Sequence, residues 1–245
     1  MTDFDPISLA FMLALLALVP LAAVMTTSFL KIAVVLTLVR NALGVQQVPP
    51  NMALYGLALI LSAYVMGPVV MQISDNLRAT TAVTAPATSV APGGAGPTGM
   101  ARAPVVPNNS ASGNTRLDGI IDAITNGAEP IRGFMMKNSR FEQREFFLRT
   151  ARGLWGEERS RNLKADDLIV LIPAFVLSEL TAAFQIGFLL YLPFVVIDLI
   201  VSNILLAMGM MMVSPVTISM PLKLFLFVMV DGWTRLIQGL VLSYS

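Results

Sequence analysis

Two residue types are missing altogether: the 245-residue chain contains no cysteine and no histidine. Their absence removes thiolate nucleophiles, disulfides, imidazole general bases, haem ligation and the usual zinc ligand sets. It leaves the compartment open, because a reduced cytosolic face and a disulfide-free periplasmic face look alike. Charge is scarce as well, at 13% of residues against the ~25% of ordinary globular domains. The 16 basic and 15 acidic residues leave a net charge of +1, so no global field attracts nucleic acid or an acidic substrate. No Gly-x4-Gly-Lys-Ser/Thr motif occurs, and Gly93-Gly94-Ala95-Gly96 lies in a Pro- and Ala-rich stretch rather than between strand and helix. That argues against nucleotide hydrolysis. No enzymatic activity, cofactor or metal site is expected.

What the chain has is hydrocarbon. A hydrophobic fraction of 56% and a mean hydropathy of +0.74 place it in the membrane class. Ile7 to Met25 carries no charge and approaches the roughly 20 residues a helix needs to cross a bilayer, with Pro20 as a kink point. No basic residue precedes that run, so a retained first span is expected rather than a cleaved signal. An apolar face continues from Phe29 to Leu43, with Lys31 and Arg40 at its ends; Gly44 suits a left-handed cap, and Pro49-Pro50-Asn51 suits the start of the next helix. Met52 to Ile73 reads as a second span. Lys31 and Arg40 put the Thr26 to Asn51 turn on the cytoplasmic side and send the middle of the chain outward.

From Ala79 to Arg116 the composition shifts to Ala, Thr, Pro, Gly, Ser and Asn. Such a segment cannot bury enough apolar surface to offset its ordering entropy and reads as a disordered linker. Leu117 to Asp167 follows with 18 of the chain's charged residues, nine of each sign. Within it, Phe141, Phe147, Leu148, Ala151, Leu154 and Trp155 suit one helical face, and Glu145 and Arg149 are spaced to pair at i,i+4. Leu168 to Leu192 and Phe194 to Val213, separated by Pro193, and Pro221 to Leu242 read as three further apolar helices, with Pro173, Pro193, Pro215 and Pro221 marking ends or kinks. The expected fold is an all-α membrane protein with four to five apolar helices in broken hairpins and a small amphipathic helical periplasmic region. Its parts are a membrane hairpin (1–78), a linker (79–116), a charged amphipathic region (117–167) and C-terminal membrane helices (168–245).

Charges inside the last apolar stretch need a reason. Glu179, Asp198, Lys223, Asp231 and Arg235 would each cost roughly 2.5 to 3.5 kcal/mol at a helix centre on insertion scales, so compensation is required. For Glu179, Asp198 and Lys223 it comes from pairing within the chain, from pairing with another subunit, or from a proton path. Asp198 and Asp231 could also be imagined as a proton-sharing protease pair, but the Gly-x-Gly-Asp context is absent and packing charges are the plainer reading. Coupling protons on Glu179 and Asp198 would suit a small-solute transporter, yet no internal repeat is visible. Met208, Met210, Met211 and Met212 around Gly209 are either flexible core filler or a deformable seal, since the unbranched thioether repacks at low cost.

Several ordered blocks resemble the FliP/SctR family of inner-membrane export-apparatus subunits of type III secretion systems and flagella. They are Thr27-Ser28-Phe29-Leu30-Lys31, Arg40-Asn41-Ala42-Leu43-Gly44 through Pro49-Pro50-Asn51, Ser178-Glu179 through Gly187-Phe188, Pro193 through Asp198, Met208 through Pro215, Pro221-Leu222-Lys223 and Val230-Asp231-Gly232-Trp233. The resemblance covers Ile7 to Asp75 and Leu117 to Leu242. It implies several copies, five in the family, joined by small subunits like SctS (FliQ) and SctT (FliR) and by a SctU (FlhB)-like subunit around a channel for secreted proteins. It implies a multi-pass location in the bacterial inner membrane, fewer true spans than hydropathy suggests, and a channel gasket at Met208, Met210, Met211 and Met212. Glu179, Asp198 and Lys223 match the family's functionally important charges, the glutamate meeting a basic residue of the SctS-like subunit. The wording around Lys31 and Gln46-Gln47-Val48-Pro49-Pro50 is closer to the virulence and symbiosis branch than to the flagellar one.

Overall fold

A computed structural model describes residues 6–45, 48–84 and 127–245. Among them all regular structure is helical: α1 (Pro6–Thr26), α2 (Phe29–Ala42), α3 (Asn51–Thr84), α4 (residues 127–138), α5 (Phe141–Trp155), the single turn α6 (Glu157–Ser160), α7 (Leu168–Ala207), α8 (Pro215–Met229) and α9 (Gly232–Leu242). They fall into two compact units, one of Met1–Gly67 with Arg132–Ser245 and one of Pro68–Ile131.

The larger unit is organised around α2. Ile32, Val35, Leu36 and Val39 recur at helical spacing and are almost completely buried. They meet Leu54 and Ala58 of α3, Ala183 and Phe194 of α7, Phe227 of α8, and Leu236 and Leu240 of α9. Lipid tails are as apolar as these side chains, so close packing holds such helices together where removal from water cannot. Gly187 shows how close that packing is: a Cβ at this position of α7 would stand 3.2 Å from the Cβ and 3.3 Å from the Cγ of Leu38 on α2. Gly187→Ala is therefore expected to lower the stability of the detergent-purified chain by about 1–3 kcal/mol, the usual range for overpacking. Adding Leu38→Ala should return most of the loss in thermal unfolding; no recovery would mean that the glycine serves something other than this contact.

Each break follows from local chemistry, though not always where the sequence suggests. Gly44 ends α2 at φ 78, in the left-handed conformation expected of it. Pro193, by contrast, does not divide the C-terminal apolar stretch. α7 runs unbroken for 40 residues with Pro173 and Pro193 inside, because neighbouring helices hold a span together across the lost hydrogen bond; Phe194, next to Pro193, is buried in the core. Nor does Pro221 start a helix. It lies inside α8, which begins at Pro215, and the interruption falls at Asp231, whose φ of 51 turns α9 by 62° from α8. Gly232 follows because the Phe227 ring leaves no room for a Cβ there.

α3 over Asn51–Arg78 and the whole of α7 are long and apolar enough to cross a membrane, and two bent pairs, Leu16–Thr26 with Phe29–Ala42 and α8 with α9, bring the total to four if each counts as one span. At 1.5 Å per residue α7 is ~60 Å long, about twice the hydrocarbon thickness, so much of it must stand outside the bilayer core.

In the unit Pro68–Ile131, α3 continues past Arg78 to Thr84, into the stretch read as linker, and Leu77 packs over Gly127. The rest of that stretch, 85–116, lies outside the described residues, as does 117–126 of the charged region. α5 is amphipathic as expected, with its Glu145–Arg149 pair at 2.6 Å. Its apolar stripe is only partly used: Ala151 is buried, whereas Phe141 and Leu154 are exposed. At 100° per residue the stripe spans about 140°, and those two residues stand at its edges with Ala151 at its centre.

Candidate functional site

Three polar or unusual features lie within the larger unit. The first is a buried ion pair. Lys31 Nζ of α2 stands 3.7 Å from Glu179 Oε1 of α7, with both side chains 5% exposed or less. Tyr244, just beyond α9, donates its hydroxyl to Glu179 Oε2 and lays its ring under the lysine, with Nζ 4.0 Å from the ring centroid. The phenol is pushed above its ordinary pKa by burial and then by the adjacent carboxylate, so it remains a donor. Phe134 stacks on that ring at 5.9 Å, and Lys137 donates to the Tyr244 carbonyl at 3.4 Å. Around this centre Ser28 donates to Ser62, while Ser178 accepts the Arg140 backbone N–H and donates to the Ala174 carbonyl. The charge is paired and hydrogen-bonded, which is the condition for its retention in an apolar surrounding.

The second is the pair Asp198–Lys223, 2.6 Å apart. Ser219 and Lys223 are one turn apart on α8 and both reach Asp198 of α7; the serine hydroxyl donates to Oδ1 at 2.5 Å. The ammonium also reaches the Ala42 carbonyl at 3.4 Å, where α2 ends and a positive charge is favoured by the helix dipole. A cavity of about 330 Å³ opens beside the pair, lined by Asn41, Gly44, Val45, Tyr191, Asp198, Val216 and Lys223.

The third is the connection between α7 and α8. Gly209, at φ 74, lets the Met210 amide bond the Leu205 carbonyl and its own amide bond that of Leu206, a left-handed cap that fixes how the loop leaves the helix. Met208, Met210, Met211 and Met212 all project outward, Met212 with no cover at all. None of them fills this chain's own core.

Of the compensations open to Glu179, Asp198 and Lys223, this chain on its own shows pairing within itself. Asp198 and Lys223 meet; Glu179 instead takes Lys31, which had been assigned to a cytoplasmic turn. A buried, paired lysine is not a loop charge, so that topology argument loses one of its two supports. Tyr244, Ser28, Ser62 and Ser219 were missed, and the available signal was arithmetic: once Asp198 and Lys223 cancel, Glu179 needs a cation from another apolar helix, and Lys31 is one. Asp198 faces a lysine and a serine rather than a second carboxylate, so it lacks the proton-sharing arrangement of a protease dyad. Among the described residues no group of three or more Asp and Glu side chains is placed to hold a metal ion.

Long apolar helices, two of them able to cross a membrane singly and two bent pairs able to do so together, define an all-α membrane protein. The FliP family profile matches residues 12–240. Relatives align over nearly their whole length: the Yop proteins translocation protein R of Yersinia pestis is 48% identical over 98% of this chain and 97% of its own. The harpin secretion protein HrcR of Erwinia amylovora is 44% identical over 99% and 98%, and the virulence protein YscR of Salmonella typhimurium 44% over 98% and 98%. The chain belongs to the FliP family.

Proposed function

We propose that this chain is a core subunit of the export gate of a type III protein secretion system. The observation that carries the reading is end-to-end similarity to proteins named for Yop translocation and harpin secretion. The architecture agrees with it: the buried charges Lys31, Glu179 and Lys223 are paired within the chain, while large apolar side chains such as Phe184, Phe188, Leu199 and Phe225 are left bare on α7 and α8. More apolar surface is exposed than a lone water-soluble chain tolerates, so lipid and other subunits must cover it.

In this reading several copies, five by family resemblance, join SctS-, SctT- and SctU-like subunits in the bacterial inner membrane around the path of unfolded secreted proteins. The methionine loop, which leaves α7 through the Gly209 cap and is exposed in the single chain, projects into that path and seals it. Asp198–Lys223 and Lys31–Glu179 hold α2, α7 and α8 in the geometry on which the assembly is built. The relatives named above include a virulence protein and a harpin secretion protein, which favours a virulence or symbiosis system over a flagellar one.

The test is deletion and complementation in the encoding bacterium. Loss of the chain should abolish secretion of type III substrates into the medium, restored by the intact gene, and an affinity-tagged copy should bring down small helical membrane subunits from mild detergent. Unchanged secretion in the deletion strain would reject the reading.

A further inference from the structure

Between α2, α7 and the α8–α9 corner lies an apolar groove of about 410 Å³, walled by Ile186, Leu190, Phe194, Phe227, Leu236 and Leu240, with Arg235 also in its lining. Its size falls in the ~300–1,000 Å³ range of small-molecule sites. Arg235 is exposed, and among the described residues no ion pair engages it. Asp231, one turn earlier, meets it only through the backbone, accepting the Arg235 amide at 3.1 Å. The contrast with Lys31 and Lys223, both held by carboxylates of this chain, makes Arg235 the exception within its apolar stretch.

α9 explains where that arginine stands. Leu236 and Leu240 are buried, Thr234, Arg235 and Gln238 are exposed, and Trp233 is half-buried beside Phe227. A short amphipathic helix bent 62° from an apolar one, with a tryptophan and an arginine near its start, is the pattern of a segment lying at the boundary between headgroups and acyl chains. A cation at that level attracts anionic headgroups, and basic pockets between membrane helices bind them.

From this arrangement we infer that the groove is a site for an anionic phospholipid, its phosphate on the Arg235 guanidinium and an acyl chain between α7 and α9. A planar fork of donors suits a phosphate, and the walls offer an acyl chain almost nothing but hydrocarbon. The site is independent of the export reading, because it needs only a bilayer with acidic lipid.

Native mass spectrometry of the full chain in mild detergent, with phosphatidylglycerol or phosphatidylcholine added, tests it. Wild type should retain one phosphatidylglycerol at least about tenfold more than phosphatidylcholine, a ratio equivalent to ~1.4 kcal/mol. Arg235→Gln should erase that preference. Gly239→Phe should exclude both lipids, since a side chain added at Gly239 starts in open space and grows into the groove; thermal unfolding like wild type verifies that both variants fold. Equal retention of the two lipids by wild type overturns the inference. So does a preference that survives Arg235→Gln, and so does a loss of self-association in Gly239→Phe with lipid retention unchanged, which would make the groove a contact between copies.

Discussion

Glu179→Leu is expected to cost the protein on the order of 3–5 kcal/mol, the range for removing one partner of a buried ion pair. The reason is Lys31, which the substitution leaves buried with its counter-charge gone and only the Tyr244 ring beside it. Tyr244 loses its acceptor at the same time. Lys31→Met should be damaging for the mirror reason, stranding the carboxylate against a lone phenol. The double variant Lys31→Met with Glu179→Leu should recover most of the loss, because two apolar side chains need no compensation there. Thermal unfolding in detergent of all four chains closes the cycle, and a double variant as unstable as the sum of the singles would deny the coupling. The charge swap carries the same logic into assembly. Glu179→Lys should block incorporation into the secretion apparatus, and Lys31→Glu in the same chain should restore part of it. Rescue by an acidic change in a SctS-like subunit, with none from Lys31→Glu, would move the pair to the subunit boundary that the family resemblance suggested.

Tyr244 admits a gentler perturbation at the same centre. Tyr244→Phe keeps the ring under Lys31 and the stack on Phe134 while removing the donor to Glu179. A loss of about 1.5–3 kcal/mol is expected, the range for hydrogen bonds to charged groups, measurable in the same unfolding experiment. A neutral result would show that the hydroxyl contributes nothing beyond the ring.

Helix content and the ionisable residues were legible because both are local facts. An apolar run without charges reads as helix in a membrane protein whatever it touches, and Glu179, Asp198 and Lys223 stand out against such a background. Pairing was not legible, since it depends on how α2 lies along α7, and that is decided by contacts such as Gly187 against Leu38. The prolines misled in a consistent way. Pro193 and Pro221 remove a backbone donor wherever they stand, but whether a helix breaks depends on what surrounds it, and here both are accommodated inside α7 and α8. Asp231 makes the left-handed turn instead, a conformation that Asp adopts more readily than most residues, and Gly232 after it leaves room for the Phe227 ring. The exposure of the methionines was equally hidden, because composition cannot distinguish a residue that fills a core from one that projects from a cap.

That exposure makes the methionine loop the place where the largest functional effect is expected. A seal for a protein channel must close on water and small ions yet yield to chains of varied sequence, and flexible thioethers repack around whatever passes. Replacing Met210, Met211 and Met212 together with Ala shortens three outward side chains while leaving Gly209 and the cap to Leu205 in place, so the loop should keep its path and lose its bulk. Resting leak of small ions and dyes should rise by on the order of tenfold or more, which corresponds to a barrier lower by ~1.4 kcal/mol. Secretion should be retained or only mildly reduced, because the widened path still admits a polypeptide. Leucine at the same positions should restore closure but slow secretion, since Leu matches the apolar bulk without the freedom of the thioether. Conductance measurements on cells or reconstituted complexes, paired with secretion assays, separate the two functions. If the alanine variant leaks no more than wild type, the seal lies elsewhere in the assembly and the exposed thioethers serve as contacts between subunits.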